Sequence, residues 1–151
     1  MEKTDTLTWL TEELRSVNAT DTLNARFHAS LEHCDDGLQE ITLRFPLEQW
    51  EINGIGTLHG GILSAMLDLT MCMVVYCYSR TGVPPTVTMT TNYLRPVPME
   101  GSVLIRARLT SLGRRNATAY GEAVIPASGK LAGTAVGTYA VVRNQESGTR
   151  N

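Results

Sequence analysis

The segment NGIGTLHGGILSAMLD, from Asn53 to Asp68, concentrates the residues of this chain best suited to chemistry. His59, Gly60 and Gly61 lead into an apolar run, Gly61 to Tyr78 (GILSAMLDLTMCMVVYCY), in which Asp68 is the only formal charge. That run predicts a helix with too few polar positions to lie on a surface. Its first turn, at Gly60 and Gly61, presents unpaired N–H groups and the positive end of the helix dipole. Such amides stabilise a developing oxyanion, and glycine lets a carbonyl approach closely. A carboxylate nearby serves as general base or nucleophile, so the two features together suit acyl transfer to water. Each also has a plainer reading, in which the glycines only make a tight turn, Asp68 is a hydrogen-bonded structural acid and His59 braces the loop.

Other site chemistries fit less well. Gly54 and Gly56 open a G-x-G, but His59 stands where G-x-G-x-x-G needs its third glycine, and no G-x-x-x-x-G-K-[ST] occurs. His28, His33, His59 and the three cysteines, Cys34, Cys72 and Cys77, have none of the usual ligand spacings, so neither a metal nor a cofactor is expected. A net charge of -2 gives no electrostatic reason for a nucleic-acid partner. The odd cysteine count argues against a disulfide framework. The chain opens on Glu2, Lys3, Thr4 and Asp5 rather than an apolar leader, so a cytoplasmic location is expected. Gly61 to Tyr78 is at the short limit for a membrane span and has Asp68 near its middle, so it is expected to bury itself against strands and not in a membrane.

Those strands follow directly. Leu7, Leu10 and Leu14 recur at helical steps between Asp5 and Val17 and predict an amphipathic N-terminal helix. Asp35, Asp36 and Gly37 predict a turn, and Leu38 to Phe45 alternates as a half-buried strand ending at Pro46. After the apolar helix, period-two alternation predicts four more strands: Thr86 to Leu94, Ser102 to Leu112, Ala117 to Ile125 and Leu131 to Val142. Turn signals at Arg95 to Pro98, Gly113 to Arg115 and Ala127 to Lys130 separate them. The expected architecture is α+β in one domain over 1–151, with its core over 38–142. A curved antiparallel sheet of about five strands wraps one central helix. Thr149, Arg150 and Asn151 are expected to fray as a polar tail.

Asn53 to Asp68 resembles the signature of the hot-dog-fold thioesterases of the phenylacetic-acid-degradation type, a group that includes the thioesterase-superfamily-member-2 proteins. TVTMTTNYLRPV, from Thr86 to Val97, is similar to that family's following strand, and Gly137, Thr138 and Tyr139 to its last one. The resemblance implies an acyl-CoA thioesterase in which coenzyme A is part of the substrate. Asp68 would be the catalytic carboxylate, and the Gly60 amide, with Asn53, would polarise the thioester carbonyl beside His59 and Gly61. It further implies a water-positioning hydroxyl at Thr86, with Thr88 as its competitor on the same face of an alternating strand. Gly113, Arg114 and Arg115 match a region that contacts coenzyme A phosphates in that family, and are otherwise a solvated turn.

Gly60 and Asp68 are eight residues apart, or about 12 Å along a helix. One thioester carbonyl cannot lie within about 3 Å of both groups. If both act on it, they come from different chains, so a homodimer with shared sites is expected, alone or as half of a dimer of dimers. Two further functions fit the same fold: a non-catalytic acyl-CoA binding module, which has no need of a buried acid, and an enoyl-CoA hydratase or dehydratase. Met66, Met71, Met73, Tyr76 and Tyr78 suit pocket or core and leave the acyl group open.

Overall fold

Alternation and turn chemistry in the C-terminal half produce four long strands, and the apolar run before them produces the helix they enclose. The computed structural model describes residues 5–143, so the expected tail at Thr149 to Asn151 lies outside the described residues. The order is α1 (Thr6–Asn18), α2 (Leu23–Arg26), β1 (Ser30–Asp35), β2 (Glu40–Pro46), a 3₁₀ turn (Gln49–Glu51), α3 (Gly60–Ser79), β3 (Thr86–Tyr93), β4 (Ser102–Leu112), β5 (Asn116–Val124) and β6 (Leu131–Ala140). The strands form one sheet in the order β1-β2-β4-β5-β6-β3, antiparallel throughout.

The sheet thus has six strands rather than about five. Asp35, Asp36 and Gly37 turn between β1 and β2 instead of preceding the first strand. β1 reads SLEHCD, has no buried residue and shifts register between Leu31 and His33. A polar, bulged edge strand lacks the alternation that marks a half-buried one.

α3 lies across the concave face, chiefly over β4 and β5. Leu63, Met66, Leu67, Met71 and Val74 pack there with Ile105, Ala107, Ala119 and Ala123. The small residues of β5 let the helix come close: a β-carbon at Gly121 would lie 3.2 Å from Leu67 and 3.3 Å from Met71. α3 is long and apolar enough to cross a membrane by length and composition, yet over half of that stretch is buried within the fold. Leu10 and Leu14 of α1 are buried as expected, whereas Leu7 is 54% exposed. Trp9 of α1 packs against Tyr76 in a T-shaped arrangement, and the Arg80 guanidinium lies over the Trp9 ring, which anchors α1 to the end of α3.

Candidate active site

The loop before α3 is fixed by its own backbone. Asn53 N–H donates to Thr57 O (2.8 Å), Leu58 N–H to Val97 O (3.0 Å) and His59 N–H to Glu51 O (2.9 Å). The tight return uses Gly56 at φ 85°, a left-handed conformation that glycine adopts at no steric cost. The Asn53 side chain belongs to this scaffold: its Oδ1 accepts from the N–H groups of Ile55 and Thr57 (3.0 Å each), and its Nδ2 donates to Thr57 Oγ1 (2.8 Å).

His59 is the N-cap of α3. Its Nδ1 accepts from Gly61 N–H at 2.9 Å, so the imidazole carries its proton on Nε2 when neutral. A β-carbon at Gly61 would meet the ring at 3.1 Å, which is why glycine suits that position. Ile62 and Leu63 donate to His59 O, both at 3.0 Å. Among the described residues, Gly60 N–H is therefore the first-turn donor left without an acceptor. Gly60 lines a cleft of about 290 Å³ together with Asn53, Ile55, Leu58, Tyr93 and Val97, and neither Asp68 nor Thr86 lines it.

Asp68 lies two turns further along α3, half-buried. Its Oδ1 accepts from Thr86 Oγ1 and from Tyr139 Oη, both at 2.8 Å. Thr86 and Tyr139 are cross-strand partners on β3 and β6, so the sheet itself delivers both hydroxyls to one carboxylate oxygen. Asp68 Oδ2 has no protein partner among the described residues. Two donors on one oxygen fix the carboxylate plane and leave the other oxygen for water or substrate. Cys72, one turn on, donates to Pro84 O at 3.3 Å. Burial, helped by the Asp68 charge, pushes its thiol up to about 12. It stays a thiol and does not compete with Asp68 as nucleophile.

Strict alternation expects Thr88 on the same face as Thr86, and here the structure differs. Thr86 pairs with Tyr139 but Thr88 pairs with Thr138, because the register shifts between them. A bulge of one residue reverses the facing of everything beyond it. Thr88 consequently shares the outer face with Thr90, opposite the exposed Val136, while Thr86 points in at Asp68. Gly113, Arg114 and Arg115 form the exposed β4–β5 turn, closed by Gly113 N–H to Asn116 O at 2.9 Å. The turn sits at the Asp68 end of the sheet, since Ala117 is the β5 neighbour of Tyr139. Among the described residues, no three of His, Cys, Asp and Glu come together as a metal site.

Tyr139 is the site residue that the sequence reading did not single out. Its signal was available: it is the one large aromatic in LAGTAVGTYA, a strand otherwise of small or β-branched residues and one leucine.

Comparisons with known proteins bear on the family and the fold. A family model described as the thioesterase superfamily matches residues 55–132, a span that contains Gly60, Asp68 and Thr86 but not Asn53 or Tyr139. Human acyl-coenzyme A thioesterase 13 is 27% identical over 92 residues, 61% of this chain and 66% of that protein; the mouse protein is 26% identical over 93 residues. The match thus spans just under two thirds of the length of these curated relatives. Thioesterase superfamily member 2 from zebrafish superposes with a TM-score of 0.81 at 21% identity, covering 91% of this chain and 99% of that one. A phenylacetic acid degradation-related protein from Ralstonia eutropha JMP134 superposes at 0.77 with 26% identity, covering 88% and 99%. The fold is the hot-dog fold that the Asn53–Asp68 segment implied. With more than half of its length matched by the family model, and with that fold, the chain belongs to the thioesterase superfamily.

Proposed function

We propose that this protein is an acyl-CoA thioesterase that works as a homodimer with shared sites. The observation that carries the reading is the Asp68 carboxylate, one oxygen held by two hydroxyls and the other free, on the helix whose first-turn amide, at Gly60, is also free. Membership of the thioesterase superfamily and similarity to acyl-coenzyme A thioesterase 13 support the substrate class.

In this mechanism Asp68 Oδ2 takes a proton from a water, whose oxygen attacks the thioester carbon. The carbonyl electrons move onto oxygen, and the Gly60 N–H of the other subunit, at the positive end of its α3, stabilises that oxyanion. Collapse breaks the C–S bond. Coenzyme A leaves as a thiolate and receives the proton from Asp68. Thr86 orients the carboxylate, His59 and Asn53 hold the loop that presents the amide, and Arg114 and Arg115 offer cations to the phosphates of coenzyme A. Water, carboxylate and amide suffice, so no cofactor is needed. A reducing cytoplasm suits the three free cysteines.

Support for the dimer is twofold. Gly60 and Asp68 stand about 12 Å apart on one helix, and the cleft at Gly60 excludes Asp68. β3 is also an edge strand beside Asp68, with Val87 56% and Tyr93 57% exposed, and an uncovered edge of this kind invites pairing with another chain.

Release of free thiol from a panel of acyl-CoAs tests the proposal. The wild-type chain is expected to hydrolyse at least one of them, and Asp68→Asn to fold and bind while turning over at least ~100-fold more slowly. Near-normal turnover in that variant would remove Asp68 from the chemistry. Addition of water to an enoyl-CoA without thiol release would make the protein a hydratase instead.

A further inference from the structure

We infer that Tyr139 is a positioning residue for the Asp68 carboxylate, seated in the space left by the absent side chain of Gly137. The inference rests on the thioesterase reading above and adds to it a residue outside the matched family segment.

Tyr139 is fully buried, on the inner face of β6. Its Oη donates to Asp68 Oδ1 at 2.8 Å and lies 3.3 Å from Asp68 O. Thr86, the other donor to Oδ1, is exposed on an edge strand, where a rotating hydroxyl has water as an alternative partner. The phenol has no such freedom. Its ring is packed on the core side, and its hydroxyl travels with the ring. Burial, the charge of Asp68 and the hydrogen bond to it push the Tyr139 hydroxyl well above the ordinary tyrosine range. It therefore remains a donor at any working pH and cannot itself act as base.

The seat is specific. A β-carbon at residue 137 would lie 2.7 Å from Tyr139 Cε2 and 3.1 Å from Oη, closer than non-bonded atoms tolerate. Residues 137 and 139 point to the same face of the strand, so the ring occupies the volume that a side chain at 137 would fill. Gly137 makes the hydrogen bond to Asp68 possible without touching it.

Tyr139→Phe keeps the ring and deletes the donor. The expected result is a fall in kcat of about tenfold with KM within about twofold. A core tyrosine without this role would change the melting temperature and leave kcat where it was. Gly137→Ala displaces the ring and should lower kcat similarly. In the Tyr139→Phe background it should add little, since both act through one hydroxyl. Wild-type kcat in Tyr139→Phe would overturn the inference while Asp68→Asn remained inactive. Full additivity of the two substitutions would overturn the part played by Gly137. If Asp68→Asn itself retained turnover, the thioesterase mechanism would be at fault and not this extension of it.

Discussion

The two ends of the proposed site are built on opposite principles. At the Gly60 end the working group is a backbone amide, and everything around it is arranged by local hydrogen bonds: His59 caps its own helix, Asn53 braces its own loop, and Glu51 holds His59 from eight residues away. At the Asp68 end the working group is a side chain whose partners come from β3 and β6, 18 and 71 residues later in the chain. The local end was legible in a short motif. The distant end required the sheet register.

This difference predicts how each end breaks. Thr86→Ala should reduce kcat about tenfold, as loss of a hydrogen bond to a charged group, whereas Thr88→Ala, on the outer face, should leave steady-state kinetics unchanged. Equal losses in the two variants would mean that the register shift at Val87 does not persist in the working enzyme. At the other end, His59→Ala removes an N-cap and should cost about 1 kcal/mol of stability with a several-fold loss of kcat/KM. His59→Asn, which keeps a capping acceptor, should recover most of both. Thermal unfolding and kinetics on the same samples check this pair, and an Asn variant as impaired as the Ala one would show that the imidazole does more than cap.

The smallest effect concerns Glu51, buried beneath the Gly60 loop, with Oε1 accepting from Glu48 N–H at 2.6 Å and Oε2 without a partner among the described residues. Burial raises its carboxyl above the ordinary range. The folded chain thus binds this proton more tightly than the unfolded one. Its contribution to stability is complete below the unfolded value, about 4.3, and is lost as pH rises through the folded one. Glu51→Gln should flatten that part of the stability profile and be at least as stable above it. A steeper fall with pH in the Gln variant would contradict the assignment.

Much of the fold was legible because its patterns were long: the apolar run of α3 and the alternation of β4, β5 and β6 match the elements observed to within two residues at either end. β1 was not, since an edge strand reading SLEHCD buries nothing and shows no period. The Gly60–Asp68 pair could be read from composition and spacing, because a lone acid in an apolar helix and glycines at its start are unusual in themselves. Thr86 was legible only as one of two threonines, and the choice depended on a bulge that period-two reasoning cannot detect. Tyr139 stands out locally only as the one large aromatic of its strand; its role depends on lying opposite Thr86 across the β3–β6 pair, a relation no local window contains.

The central claim, that one site draws Gly60 and Asp68 from different subunits, is tested most directly by mixing two inactive variants. Asp68→Asn supplies one. Gly60→Pro supplies the other: residue 60 is the first helical position, where proline is tolerated, and His59 at φ -62°, ψ 131° already has the extended backbone that precedes a proline. Tyr93, 3.3 Å from where the new β-carbon would sit, must shift slightly. After verified subunit exchange at equal concentrations, half the dimers are mixed, and each has one site with both groups intact. Activity should then return to about one quarter of wild type. If both groups served within one chain every site would be defective, so exchanged but inactive mixtures would contradict the shared site.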